Sequence, residues 1–158
     1  MNSELQKALG LPPMDQVGFV YKDIEAAITM YEPLFGPFQR MDPGPYDYVF
    51  RGKPEPAEVK LAFGKSGEIE IELIEWVSGG TPHREFIEAG REGMHHLRFI
   101  VDDLQSIIDR AKPFGYEAIW QADFAPGLAV AYMERANDPL LIEFFENSGM
   151  SDFSGEQS

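Results

Sequence analysis

The sequence predicts an α+β fold made of two βαβββ modules, and an internal repeat supports this prediction. Shifting the chain by 80 residues aligns residues 15–36 with residues 95–115, and each stretch contains a short apolar alternation, an Asp, an amphipathic segment and a closing Gly. A second repeat aligns the strand-like residues 61–75 with residues 130–146. Turn residues leave room for one further strand in each half, near residues 46–51 and 116–122. Each half therefore reads as strand, helix and three strands.

The helix of each module has recognisable start and stop signals. Asp23 and Asp103 directly follow the first strand of their modules, where a carboxylate accepts hydrogen bonds from the free backbone N–H groups of a helix start. Gly36 and Gly115 end the amphipathic segments, as glycine commonly does at a helix C-terminus. These signals predict two equivalent helices, each packed on the apolar face of the strand before it.

The repeats also divide the chain. Between the modules, Thr81 and Pro82 predict the start of a short helix, on which we expect His83 to be exposed. The ends of the chain lack periodicity and are expected to be loose. The predicted organisation is an N-terminal extension (1–13), a first module (14–76), a linker with a short helix (77–94), a second module (95–146) and a flexible C-terminal tail (147–158).

Composition narrows the possible functions. Hydrophobic residues make up 44% of the chain, which is enough for a buried core, and the absence of cysteine excludes thiolate nucleophiles, disulfides and cysteine-ligated metals. The net charge of −14 disfavours binding to nucleic acid or to an anionic membrane surface. No apolar run is long enough to span a bilayer, and the N-terminus lacks the features of a signal peptide. We therefore expect a cytoplasmic protein.

Strand alternation places polar side chains where an apolar core is expected. Glu143 lies between Leu141 and Phe145 on one strand face, and an isolated buried carboxylate costs several kcal/mol unless it is paired, protonated or metal-bound. Its repeat-mate is Glu72, and Gln16 and His96 form a second repeat-related pair.

Taken singly, these residues have ordinary explanations. A strand Glu or Gln usually faces solvent, and a His in an apolar strand is commonly a satisfied core group. Four oxygen or nitrogen donors at two repeat-related pairs of positions favour convergence on one point, where they would balance a divalent cation. His95 is expected to face away from His96, whereas Arg98 shares the face of His96 and either meets an anionic substrate group or pairs with a neighbouring Glu.

Residues 14–147 resemble the vicinal oxygen chelate superfamily, which includes glyoxalase I, methylmalonyl-CoA epimerase and bleomycin-resistance proteins. The resemblance rests on the order and spacing of five short motifs: Asp15-Gln16-Val17, Ile71-Glu72-Leu73-Ile74-Glu75, Thr81-Pro82…Phe86, Gly93-Met94-His95-His96 and Leu141-Ile142-Glu143. It implies curved mixed sheets around a metal-binding cleft. The metal ligands would be Gln16, Glu72, His96 and Glu143, holding one divalent ion of zinc, nickel, cobalt or manganese.

The resemblance also implies a reaction. The chain is expected to be an epimerase or isomerase that removes a proton next to a carbonyl of a small carbonyl or thioester substrate, with Glu143 as both ligand and base and Arg98 as a substrate-binding residue. A homodimer is expected as well. Gln16 at the first ligand position is also typical of one branch of glyoxalase I, so a lactoylglutathione lyase is an alternative. A metal-free binding protein of the bleomycin-resistance kind is another. The strand in which an epimerase carries its second base contains Glu58 and Lys60 here.

Overall fold

The structure is a computed structural model that describes residues 3–148. Its strands and helices follow the predicted order of two modules with a short linking helix. In chain order they are α1 (Ser3–Leu9), β1 (Gln16–Val20), α2 (Ile24–Phe35), β2 (Gln39–Met41), β3 (Tyr46–Phe50), β4 (Lys53–Ser66), β5 (Ile69–Ser78), α3 (Pro82–Glu88), β6 (Gly93–Val101), α4 (Leu104–Ala111), a 3-10 turn (Lys112–Phe114), β7 (Tyr116–Ala125), β8 (Leu128–Arg135) and β9 (Asp138–Asn147).

The strands form one mixed sheet that closes into a barrel. The first module contributes the order β1-β5-β4-β3 and the second contributes β6-β9-β8-β7, with β1–β5 and β6–β9 parallel and the other pairs within each module antiparallel. The modules join through two antiparallel pairs of repeat-mates, β1–β6 and β3–β7. This arrangement confirms the predicted α+β fold and its paired modules. Strand β2, which pairs with β4, adds one strand to the eight predicted.

Helices α2 and α4 cover the outside of the barrel, as the apolar alternation predicts. Ile24 and Ile28 of α2 pack with Ile71 and Leu73, and the buried face of α4 packs with Phe144 of β9. The predicted caps are present, since the carboxylate of Asp23 accepts from the N–H groups of Glu25 and Ala26, and that of Asp103 accepts from Ser106 N. The outer faces of β1 and β6 therefore pack against α2 and α4. The alternate side chains of these two strands consequently point into the barrel.

The N-terminal extension, which was expected to be loose, contains a short helix. Residues 3–9 form α1, and buried Leu9 packs in the same cluster as α4, whose Arg110 donates hydrogen bonds to the carbonyls of Ala8 and Leu9. Strand β9 continues to Asn147, so the second module ends one residue later than predicted. The remainder of the predicted tail, residues 149–158, lies outside the described residues. In residues 3–148, none of the helices has the length and hydropathy needed to cross a bilayer.

The prediction that His83 is exposed is wrong, because α3 packs one of its faces onto the barrel. Phe86 of α3 joins a buried cluster with Val20, Val59 and Ile74. His83 precedes Phe86 by three positions and therefore lies on the same face of the helix, where it is 1% exposed. The helix start itself is as predicted, since the Thr81 hydroxyl accepts from Arg84 N.

The expected direction of His95 is also wrong, and a β-bulge in β6 is the reason. His96 pairs with Gly18, but the next residue of β1, Phe19, pairs with Met94, so His95 is the extra residue. A bulge interrupts the alternation of side chains along a strand. His95 is consequently buried, with its Nδ1 only 3.1 Å from Nδ1 of His96.

Candidate metal centre

The barrel brings the four predicted ligands together around Nε2 of His96. That nitrogen lies 3.1 Å from Oε1 of Glu143, 3.2 Å from Oε1 of Glu72 and 3.4 Å from Oε1 of Gln16. One ligand atom from each of Glu72, His96 and Glu143 lies within 4.8 Å of the others. Four donors from the two modules therefore converge on one point, as the repeat predicted.

Strand pairing explains this convergence. Gln16 and His96 lie on the central strands β1 and β6, while Glu72 and Glu143 lie on the parallel neighbours β5 and β9. The inward position between Gln16 and Val20 is Gly18, and a Cβ built on it would lie 2.1 Å from the nearest atom of the His96 ring. Glycine is required here because the imidazole lies directly against the backbone of β1.

A hydrogen bond orients the amide of Gln16. Its Nε2 donates to Oε1 of Glu70 at 2.7 Å. A carboxylate only accepts, so the amide nitrogen faces Glu70 and the amide oxygen faces His96. This places an oxygen donor, suitable for a divalent cation, on the side of the centre.

The donor set fits a divalent cation better than it fits protons alone. Nε2 of His96 has a single bonding position but faces three oxygens, and Oε1 of Glu72 is a buried atom without a hydrogen-bond partner among residues 3–148. Two carboxylates, one neutral imidazole and one amide oxygen are a ligand set for zinc, nickel, cobalt or manganese. A cation held by all four would satisfy the orphaned oxygen of Glu72.

The electrostatics of these groups reflect their close approach. Burial lowers the pKa of His96, but the carboxylates of Glu143 and Glu72 outweigh burial and raise the pKa to about 9. Burial raises the pKa of Glu72, and the nearby His96 opposes the rise. Without a cation, protonated His96 thus supplies a single positive charge beside the two carboxyl groups.

Arg98 lies next to the centre in a strong ion pair. Its Nε and Nη2 donate to the two carboxylate oxygens of Asp15 at 3.0 and 2.7 Å, and Nη2 lies 3.5 Å from Oε1 of Glu70. Its guanidinium also lies over the ring of Phe145. The sequence left pairing with a neighbouring Glu as the alternative, but the main partner of Arg98 is Asp15, and Glu70 lies farther away. A role of Arg98 in substrate binding stays a prediction.

Aromatic side chains line the barrel interior beside the centre. Tyr132 pairs with Glu143 across β8 and β9, and its ring centroid is 4.8 Å from those of His96 and Trp120. Its hydroxyl lies 3.0 Å from Nε2 of His83, whose pKa is lowered by burial to about 3. Within the described residues, Nε1 of Trp120 and Nδ1 of His83 are buried without a hydrogen-bond partner. Two polar atoms in this wall thus have no hydrogen-bond partner among the described residues.

Neither residue considered as a second base lies near the centre. Lys60 is close enough to Glu25 of α2 to lower the pKa of that carboxylate together with Arg40, which places Lys60 on the helix-covered side of β4. Glu58 lies on the same face of β4 as Lys60, because side chains alternate along a strand. Val59, which lies between them, points to the opposite face and belongs to the buried cluster with Val20 and Ile74. Neither Glu58 nor Lys60 therefore faces the centre from β4.

Sequence reasoning missed the groups that surround the ligands. Asp15 and Glu70 were not assigned a role, although alternation placed Glu70 on the same face as Glu72. The sequence places His83 and His95 away from the site, and both expectations are wrong. The β-bulge that turns His95 inward and the packing of α3 that buries His83 leave no periodic signal in the sequence. Tyr132 belongs to an aromatic strand pattern that suits a bulky apolar ligand as well as a core, so the sequence does not separate the two.

Comparisons with known proteins agree with the fold and the motifs. A sequence profile described as the glyoxalase/bleomycin resistance protein/dioxygenase superfamily matches residues 15–132. Uncharacterized protein YqjC of Bacillus subtilis is 24% identical over 139 residues, which cover 86% of this chain and 93% of that protein.

Solved structures show the same fold. The crystal structure of hypothetical protein BH1468 from Bacillus halodurans has 29% sequence identity and a TM-score of 0.58, covering 84% of this chain and 92% of that one. Methylmalonyl-CoA epimerase of Streptomyces coelicolor, with 18% identity, has a TM-score of 0.60 over 85% of this chain and 94% of the epimerase. The epimerase of Mycobacterium tuberculosis, with 17% identity, has a TM-score of 0.57 over 86% and 88% of the two chains. The chain belongs to the glyoxalase/bleomycin resistance protein/dioxygenase superfamily, the vicinal oxygen chelate proteins.

Proposed function

We propose that this protein is a metal-dependent isomerase or epimerase that removes a proton from the carbon next to a carbonyl, with a small thioester of the methylmalonyl-CoA type as substrate. The convergence of Gln16, Glu72, His96 and Glu143 on one buried point is the observation that carries the proposal. The likeness of the fold to methylmalonyl-CoA epimerases supports it, at identities that speak for the fold alone.

The four side chains would hold one divalent cation. When bound, the cation supplies Lewis-acid stabilisation of the negative charge that develops on the substrate carbonyl oxygen. Glu143 acts as the base, taking the proton on a carboxylate oxygen that lies 3.1 Å from His96 Nε2. The centre is almost dry, since all four ligands are less than 9% exposed, and a dry site strengthens each electrostatic interaction within it.

The aromatic wall suits the organic part of such a substrate. Tyr48 and Trp120 stack with ring centroids 4.3 Å apart, and Tyr132 connects them to His96. The unpartnered N–H of Trp120 would donate to an oxygen of the substrate. A molecule with an apolar body and a carbonyl or carboxylate oxygen is therefore the expected ligand.

A glyoxalase I-type lyase is the second candidate. Two observations favour it: Gln16 occupies the first ligand position, and Glu58 and Lys60 do not supply a second base inside the barrel. A single carboxylate that removes a proton and returns it to the neighbouring carbon would suffice for an isomerisation of a hemithioacetal. Both candidates use Glu143 as the base, but they differ in substrate and in where the proton returns. An epimerase must return it to the opposite face of the same carbon, which needs a second proton donor, whereas the lyase returns it to the neighbouring carbon.

Elemental analysis of protein purified without added metal is the first test. Solvent-deuterium exchange is then measured on a panel of 2-substituted acyl-CoA esters and hemithioacetals. Stoichiometric metal and exchange into an acyl-CoA ester support the epimerase, whereas turnover of a hemithioacetal alone supports the lyase. Tight ligand binding without metal or exchange would refute both and favour a binding protein.

Paired substitutions test the role of Glu143. Glu143→Gln keeps an oxygen ligand but removes the proton acceptor, so exchange should fall about 10²- to 10⁴-fold at saturating metal. Glu72→Gln is the matched control, which should weaken metal binding but recover exchange when metal is raised. Equal exchange by Glu143→Gln and the wild type would remove Glu143 from the chemistry. The expected homodimer belongs to the same proposal and is tested by sedimentation equilibrium.

A further inference from the structure

The first histidine of the Gly93–His96 motif, His95, lies beside the ring nitrogen of His96 that faces away from the other ligands. The bulge in β6 turns His95 inward, and its Nδ1 is 3.1 Å from Nδ1 of His96. The two rings are nearly perpendicular, with centroids 5.3 Å apart. The nitrogen of His96 that contacts His95 is therefore the one on the far side of the ring from Glu72 and Glu143.

The surroundings of His95 determine which of its nitrogens carries the proton. The backbone of Pro82, at the start of α3, lies within hydrogen-bonding reach of His95. Proline has no backbone N–H, so the group involved is the carbonyl, which only accepts. His95 must donate to it, and because Nδ1 faces His96 the donor is Nε2–H. A neutral imidazole has one N–H, so Nδ1 of His95 is an acceptor.

The same reasoning assigns the proton on His96. An acceptor at Nδ1 of His95 requires a donor opposite it, which is Nδ1–H of His96. We infer that His95 is a positioning residue that fixes the proton of His96 on Nδ1 and thereby presents Nε2 to the oxygens of Gln16, Glu72 and Glu143. The chain of contacts runs from the Pro82 carbonyl through His95 and His96 to the centre, so α3 and β6 together orient the ligand.

The position of His95 is itself well defined. The residue is 3% exposed, the ring of Phe86 meets it edge-on at a centroid distance of 4.9 Å, and the ring of His83 lies 5.2 Å away. A ring packed on these sides cannot turn to solvent without unpacking α3. Partners of this kind behind a ligand histidine typically change metal affinity about 10- to 100-fold when they are removed.

This inference rests on the proposed metal centre for its consequence, but the hydrogen bond can be measured without metal. In protein labelled with ¹⁵N, a scalar coupling should connect Nδ1 of His96 with Nδ1 of His95, in both the metal-free and the zinc-loaded protein. Absence of the coupling in wild-type protein would overturn the inference. A wild type that shows the coupling but binds no zinc would instead refute the metal centre alone.

Two substitutions separate hydrogen bonding from packing. His95→Asn keeps an acceptor oxygen on Cγ, where Nδ1 is attached, and should bind zinc within about threefold of the wild type, whereas His95→Leu should raise the zinc Kd about 10- to 100-fold. His83→Leu is the control, because it removes a buried histidine from the same cluster without touching His96. Equal zinc affinity for His95→Leu and His95→Asn, or an equal loss in His83→Leu, would overturn the role assigned to His95.

Discussion

Replacing Gly18 with alanine should remove the imidazole of His96 from its place among the ligands. The new Cβ would lie 2.1, 2.3 and 2.6 Å from three atoms of that ring. Ordinary van der Waals contact begins at 3.4 Å, so the ring must retreat by about 1.3 Å. His96 is fully buried and cannot swing into solvent.

The size of this displacement sets the expected loss of metal. Metal–ligand distances are typically held to within about 0.2 Å, so a shift of about 1.3 Å in the ring removes His96 from coordination. We expect the zinc Kd of Gly18→Ala to rise at least about 100-fold, beyond the loss usual for a partner of a ligand. Overpacking should also destabilise the fold by about 1–3 kcal/mol.

Gly64→Ala is a matched control for this experiment. Gly64 also lies in a strand, and its Cβ would come within 2.5 Å of the Phe35 carbonyl and 2.8 Å of the Phe38 ring on the outer, helix-covered face. It should lose similar stability in urea denaturation but bind zinc as the wild type does. The reasoning would be refuted if folded Gly18→Ala bound zinc as tightly as the wild type. An equal loss of zinc affinity in Gly18→Ala and Gly64→Ala would refute it as well.

Three further predictions concern protonation, orientation and helix capping. A cation binds His96 only after its proton is lost, and the pKa of His96 without metal is about 9. The apparent zinc affinity should therefore rise about tenfold per pH unit from pH 6 to 9. A zinc Kd that calorimetry finds unchanged over this range would contradict the prediction. Glu70→Leu frees the amide of Gln16 and should weaken zinc binding about tenfold, which an unchanged Kd would disprove. Asp23→Ala removes the cap of α2 and should cost about 1 kcal/mol in urea denaturation, with an unchanged midpoint as the contrary result.

The internal repeat is why so much of the fold could be predicted. Two copies of one pattern allowed each strand, cap and inward face to be checked against its mate. Asp23 with Asp103 and Glu72 with Glu143 are examples. Strand alternation has a period of two residues, so a strand whose apolar face packs on a helix must turn its other residues inward. For that reason the sequence by itself indicated the four side chains that meet at the centre.

What the sequence could not reveal depends on departures from that periodicity or on contacts between distant segments. The bulge that turns His95 inward arises from the register between β1 and β6, and the burial of His83 arises where α3 packs against Val20 and Ile74. The pairing of Arg98 with Asp15 joins residues 83 positions apart, and the closure of the barrel at β3–β7 joins the two modules. These features follow from distances set by the whole fold. Local patterns therefore determined which side chains face inward, and only the tertiary structure decided which of them meet.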